Sequence, residues 1–321
     1  MHLKIIRSGP LTTIQDNGRF GYLEYGIGEA GVMDKESYQK ANALVGNTNG
    51  EAVLEATLLG PVLEADGEML IGFMGADMPA FIDDRPIKRG QAYRVKKGQR
   101  VSFGMAVNGV RAYIAFAGGI NVPEVMGSRS TNIRYKLGGL EGRKLEDNDS
   151  LPLSELPYSE EKISRLMEHS LCPCNYASDI QVRVILGPQQ EAFTDEGIKT
   201  FLESRYTVSN ESDRMGIRLT GEKIEGKGSM DIVSDGVTFG SIQVTSAGLP
   251  VILMADHQTT GGYAKIATVV SADLPLLAQA RPGNQVSFQK TEIKALLKDK
   301  SRLKKLFRNR NQEQTAWKNK M

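Results

Sequence analysis

A chain of 321 residues with 40 Lys+Arg, 38 Asp+Glu and a net charge of +2 has room for roughly two domains, each with its own core. Residues 290–321 carry 11 Lys+Arg against 3 Asp+Glu, so the preceding body is mildly acidic and its bulk charge gives no reason to expect a nucleic-acid surface. No apolar run approaches the roughly 18–20 residues that span a bilayer, the opening MHLKIIRSGP has too short an apolar core for a signal peptide, and the only cysteines, Cys172 and Cys174, are too close together to staple a fold, so the expectation is a cytoplasmic protein without disulfides.

Taken in order, residues 3–15 read as an opening strand and turn, followed by the polar, glycine-rich run Gln15–Tyr22. Asp34 is placed to cap a helix over Lys35–Val45, with Tyr38, Ala41, Leu44 and Val45 at helical spacing and Gly46-Asn47 ending it. From Ala52 to Ile120 the pattern is β. Val53–Ala56, Met69–Met74, Ala80–Ile82, Ala92–Val95, Arg100–Phe103 and Arg111–Phe116 are short runs separated by turn residues, and Asn108-Gly109 predicts a hairpin between the last two. Residues 138–160, broken by Gly138-Gly139, Gly142, Pro152 and Pro157, predict a link between halves, and Glu160–His169 a short helix. A second β-rich half starts near Ile180, contains a helix over Thr194–Leu202 capped by Thr194, and runs to Phe288. Thr291–Phe307 has the spacing of an amphipathic helix within a basic tail. Many short strands at close spacing predict a mainly β fold of barrels or sandwiches with a few short helices.

Several motifs fall short. Gly221–Lys227 has the glycine–lysine spacing of a phosphate loop, but Gly228 stands where Ser or Thr should ligate magnesium, so a lysine-bearing turn is expected. His169, Cys172 and Cys174 supply at most three ligands where structural zinc needs four, and no metal site is expected. Neither HExxH nor GxSxG occurs, and His257 is the one histidine near other candidate chemistry. Four polar clusters remain: Thr12–Asp16 with Arg19, Gly127–Asn132, Ser209–Gly216, and the bend Asp256–Tyr263 that follows the apolar run Val251–Met254. The first three pair arginine with hydroxyls or carboxylates beside glycine, and the planar guanidinium suits carboxylate or phosphate.

In order along the chain, these clusters resemble one family, the C subunit of bacterial ATP-dependent 5-oxoprolinase, also called allophanate hydrolase subunit 2 and biotin-dependent carboxyltransferase-like. The family includes the sporulation-kinase-inhibitor antagonist and half of the carboxyltransferase region of urea carboxylase. The blocks that carry the resemblance are GPLTTIQDNGRFGY (Gly9–Tyr22), GVMD (Gly31–Asp34), ANALVGN (Ala41–Asn47), LEATLLGP (Leu54–Pro61), AGGI (Ala117–Ile120), GSRST (Gly127–Thr131), SDRMGIRLTG (Ser212–Gly221), GSIQV (Gly240–Val244) and ADHQTTGGYAKIATV (Ala255–Val269). His257 and Ala264 depart from the expected pattern.

The resemblance implies two cyclophilin-like β-barrel domains, residues 1–150 and 151–290, and a basic, partly helical tail, 291–321. It implies partners, a kinase-inhibitor-like B subunit and an A subunit, which together with this chain couple ATP (with magnesium) to opening the lactam of 5-oxoproline. No Ala-Met-Lys-Met biotin-carrier motif occurs, so no covalently bound biotin is expected. On this reading Arg129 and Lys265 supply positive charge, with Arg214 behind them, and Asp256 and Asp16 position or accept protons. Gln15, Arg19, Ser128, Gln243, Thr259 and Thr260 contact substrate, and Gly261 and Gly262 let backbone approach it. These residues are expected to wall a single polar pocket. A carboxyltransferase-like half acting on urea and a non-catalytic binder of a kinase inhibitor are the alternatives.

Overall fold

A computed structural model of the chain describes residues 1–48 and 50–296; most of the predicted basic tail lies outside the described residues. The first half contributes β1 (His2–Arg7), β2 (Leu11–Gln15), β3 (Val53–Thr57), β4 (Val62–Ala65) and β5 (Met69–Asp77). It continues through β6 (Ala80–Ile82), β7 (Arg85–Ile87), β8 (Ala92–Val95), β9 (Arg100–Phe103), β10 (Asn108–Phe116) and β11 (Ser150–Pro152). Their ladders make a six-stranded sheet, β11-β1-β4-β9-β6-β7, and a five-stranded sheet, β2-β3-β10-β5-β8. Leu3, Ile5, Leu63, Val101 and Phe103 of the first meet Ile14, Leu54, Phe73, Ile114 and Phe116 of the second in one core. The outer face of the five-stranded sheet is covered by α1 (Lys35–Leu44), so β5 and β10 are buried on both faces and read as continuous apolar runs.

The second half holds β12 (Asp179–Leu186), β13 (Tyr206–Val208), β14 (Gly216–Thr220), β15 (Asp231–Gly236) and β16 (Ser241–Val244). After these come β17 (Pro250–Leu253), β18 (Thr260–Tyr263), β19 (Lys265–Val269) and β20 (Gln285–Lys290). Seven of them close a barrel, β12-β19-β16-β17-β14-β13-β20, in which the parallel β12–β20 pairing completes the ring and removes the free edges. Ile217, Leu219, Ile242, Val244, Ile252 and Ile266 point inward, and their neighbours one residue away, Arg218, Gln243 and Val251, point out. The pair β15–β18 stands apart as a two-stranded flap.

The predicted helices form where their caps place them. Asp34 accepts from Ser37 N at 3.0 Å at the start of α1, Ser159 starts α2 (Glu160–Glu168), and Thr194 accepts from Gly197 N at 2.9 Å at the start of α3 (Asp195–Glu203). A short helix, α4 (Leu274–Ala278), precedes β20. The Asn108-Gly109 hairpin does not form. Both residues belong to β10, whose partners are β3 and β5, while β9 lies in the other sheet. Gly109 (φ 72°) is required there because a Cβ would lie 2.7 Å from the Tyr176 ring and 2.8 Å from Gln279 Oε1. The glycine serves close packing across the two halves and not a turn. Gly221–Lys227 is a turn anchored by buried Ile224, whose N–H donates to Gly248 O at 2.9 Å.

The halves are joined by buried polar groups as well as apolar ones. At the irregularity in β10, Gln279 Oε1 accepts from Val110 N and Arg111 N, both at 2.9 Å, and its Nε2 donates to Arg111 O and to Asp34. Arg281 donates to Gly109 O, Val107 O and Ala106 O. Met33, from the loop before α1, inserts into the barrel core, a burial worth about 1.5–3 kcal/mol. Residues 138–153, predicted as a link, belong structurally to the first half: Leu145 N donates to Thr12 O, and β11 extends the sheet beside β1.

Candidate functional site

Asp16 follows β2 and its carboxylate is completely engaged. It accepts from Ser128 Oγ (2.6 Å), Ser130 Oγ (2.5 Å), Arg129 N (2.6 Å) and Gly18 N (2.9 Å). These bonds clamp the Gly127–Asn132 loop onto Gln15–Arg19, so two of the predicted walls do meet. Four charge-assisted donors leave the carboxylate no free lone pair directed at solvent. The Arg129 side chain turns the other way, to Val122 O (2.9 Å) and Glu124 (2.8 Å), beside a cleft with Glu51 and Asn121. Arg19 is buried and donates only to carbonyls, Ser130 O at 2.8 Å and Val125 O at 3.3 Å. Burial lowers its pKa against the opposing pull of Asp16 and Asp256. Gln15 donates to Thr13 Oγ1 and Thr131 O. Its Oε1, Arg19 Nη1 and Thr131 Oγ1 are buried without hydrogen-bond partners.

Arg214 and Asp256 form the second cluster. The guanidinium grips Asp256 through two bonds of 2.8 and 2.9 Å, reaches Glu55 on β3 across the junction, and donates to Gly31 O at 2.7 Å. Burial works against its charge, but Asp256 and Glu55 outweigh burial and hold its pKa above the ordinary arginine value. Glu55 also accepts from Met33 N at 2.9 Å. The pair Arg214–Asp256 therefore ties the bend after β17 to the first half. His257 is buried beside it, with Nδ1 2.6 Å from Gln258 O.

Lys265 lies on β19 and sends its ammonium to the flap, where it donates to Asp235 and to Gly236 O at 2.7 Å. Gln189 donates to the same Asp235 carboxylate at 3.1 Å. The lysine, through its hydrogen bond, holds the Asp235 pKa below the usual carboxylate range. Thr259 accepts from Val237 N through its carbonyl, and Thr260 and Gly261 pair with β15. Gly262 is half-buried against Ile232 O.

Gln243 sits elsewhere, at the floor of a cavity of about 160 Å³ on the outer face of β14, β16 and β17. Its Nε2 donates to Tyr263 O at 3.1 Å, and Gly261 packs directly on the amide: a Cβ there would come within 2.4 Å of Nε2. Arg218 stands at the cavity rim with no side-chain partner among the described residues, while Asp213 is committed to Met215 N and Gly216 N. Gln243 is the only one of the thirteen expected site residues on this cavity, and Arg129 lines a separate cleft. The expected single pocket is thus resolved into a clamp at Asp16, a junction at Arg214–Asp256, an ion pair at Lys265–Asp235 and a cavity at Gln243. Among the described residues no cluster of His, Cys, Asp and Glu could hold a metal ion, and no helix is long and apolar enough to cross a membrane.

Sequence reasoning missed Glu55, Asp235 and Arg218. Glu55 had a signal, an acidic residue in the otherwise apolar β3. Arg218 lies in the quoted block Ser212–Gly221 and alternates with Ile217 and Leu219, which is enough to place it on the outer face. Asp235 lies in a flap whose burial pattern is almost entirely exposed, and nothing local marks it as a partner of Lys265.

A closed barrel behind a two-sheet unit, with polar side chains locked across their junction, defines a carboxyltransferase-type fold. The family profile "Carboxyltransferase domain, subdomain A and B" matches residues 25–290, and the chain belongs to this family. It is 36% identical to the C subunit of 5-oxoprolinase from Escherichia coli over 98% of each chain. It is 35% identical to the C subunit of 5-oxoprolinase from Haemophilus influenzae, covering 89% of this chain and 90% of that one. The crystal structure of Kluyveromyces lactis urea carboxylase superposes with a TM-score of 0.83 at 30% identity, covering 91% of this chain and 27% of that one.

Proposed function

We propose that the protein is the C subunit of an ATP-dependent 5-oxoprolinase and works with an A and a B subunit. The observation that carries this reading is the end-to-end similarity to a free-standing C subunit, 98% of each chain, where the urea carboxylase resemblance engages only 27% of a much longer chain. In the proposed reaction water adds to the lactam carbonyl carbon, the ring C–N bond breaks, the nitrogen takes a proton, and glutamate leaves. Hydrolysis of ATP to ADP and phosphate, with magnesium, drives the step. An unactivated amide needs such coupling, and the enzyme's part is to hold the ring and stabilise charge on its oxygen. We place the ATP requirement at the level of the complex, because the cavity at Gln243 is far smaller than the several hundred Å³ typical of larger ligands.

A second reading, a carboxyltransferase-like half acting on urea with biotin supplied by another chain, is supported by the TM-score of 0.83 to the urea carboxylase structure. One reconstitution separates them. The chain is combined with its A and B partners, and glutamate release is followed with 5-oxoproline and ATP. Glutamate release that depends on this chain supports the first reading. No glutamate, together with urea-dependent loss of carboxybiotin, supports the second and removes the first.

A further inference from the structure

The cavity at Gln243 has no role in the fold, yet it is built with care. Its floor is an amide that is almost fully buried, pinned through one N–H by Tyr263 O and kept flat by the missing side chain of Gly261. That leaves Oε1 and the second N–H without protein partners, side by side and facing a cavity. Buried polar groups are expensive to leave unpaired, so such a group in a cavity marks a ligand that completes it. The walls are apolar, from Val251, Leu253 and Met215, and the guanidinium of Arg218 waits at the rim. The space corresponds to about five waters, enough for one small ring.

From this geometry we infer that the cavity binds a small cyclic amide bearing a carboxylate, with Gln243 reading the amide and Arg218 the carboxylate. This deepens the oxoprolinase reading and rests on it for the identity of the ring. A lactam is locked cis, so its N–H and C=O lie on the same edge. That edge matches the primary amide of Gln243: Oε1 accepts from the lactam N–H while Nε2 donates to the lactam oxygen. An extended trans amide presents the two groups on opposite sides and cannot make both bonds. The ring methylenes then rest on Val251, Leu253 and Met215. Urea offers the same N–H and C=O edge but no carboxylate, so Arg218 is the specificity-determining residue of the site. The assignment also moves emphasis from Lys265, whose ammonium is already held by Asp235 and Gly236 O, to a guanidinium that has no internal partner among the described residues.

Titration calorimetry on the assembled complex without ATP tests the site, using 5-oxoproline, 2-pyrrolidinone and urea as ligands. For the unaltered chain 5-oxoproline binds most tightly. Q243L weakens 5-oxoproline and 2-pyrrolidinone alike, by about tenfold or more. R218L, a change at an exposed position that leaves the core intact, weakens 5-oxoproline by a similar factor and leaves 2-pyrrolidinone unchanged. Unaltered affinity in both variants, equal weakening of the two lactams by R218L, or no binding of 5-oxoproline to the unaltered complex overturns the inference. Glutamate release is scored separately: a complex that turns over 5-oxoproline normally with both variants refutes the cavity but not the function. One that shows the predicted binding pattern without ATP-dependent glutamate release refutes the function but not the cavity.

Discussion

Replacing Arg214 by methionine gives the most direct measure of what holds the two halves together. The guanidinium is 5% exposed, Asp256 10% and Glu55 1%. Removing it takes away both bonds to Asp256, the bond to Glu55 and the bond to Gly31 O. Asp256 is left with no countercharge in contact, and Glu55 keeps only Met33 N and a distant Arg111 at 3.9 Å. Breaking a buried ion pair from one side costs about 3–5 kcal/mol, because a desolvated charge is left unpaired. Here two carboxylates are orphaned, so R214M falls toward the upper end, more than a hundredfold in the unfolding equilibrium. R214K keeps the charge but not the fork, and recovers only part of the loss. The assay is urea denaturation at pH 7 followed by circular dichroism. A loss below about 1 kcal/mol for R214M refutes the claim that this cluster is a principal link between the halves. Because Met215, next in the chain, lines the cavity at Gln243, the same variant also weakens 5-oxoproline binding.

D16N replaces an acceptor-only carboxylate by an amide whose NH₂ faces donors; the Arg129 N–H cannot turn round to accept, and a loss of about 2–3 kcal/mol in urea denaturation is expected. G261A drives a Cβ into Gln243 Nε2, which swings aside; stability falls by about 1–2 kcal/mol, and binding of 5-oxoproline measured by calorimetry falls with it. Asp235 has a depressed folded pKa, so its stabilisation is present above its ordinary value of 3.8 and is lost as pH falls through the folded value. Denaturation midpoints of the unaltered protein and D235N therefore differ at pH 6 and converge below pH 3.8; a difference that persists at low pH contradicts the assignment.

Local chemistry was legible where it is local in origin. Asp34, Ser159 and Thr194 start the three longer helices because a side-chain oxygen can reach an N–H within the next turn. The short β runs, too, were visible from their alternation. Asn108-Gly109 misled because its dipeptide chemistry fits a type I′ turn, while the real constraint on Gly109 is a tyrosine and a glutamine that arrive from 67 and 170 residues later.

Sequence by itself determined that this is a mainly β, two-part chain whose ordered blocks match a single family. It also determined that Gln15–Asp16, Ser128–Arg129, Arg214 and Asp256–Lys265 are where its polar side chains concentrate. Only the tertiary structure decided which of these oppose one another. Carboxylates and cations look equally reactive along a sequence, and what separates a structural clamp from a binding group is whether its partners are already supplied from within the fold. Asp16, Asp256 and Lys265 are supplied, whereas the free edge of Gln243 and the guanidinium of Arg218 are left for a ligand.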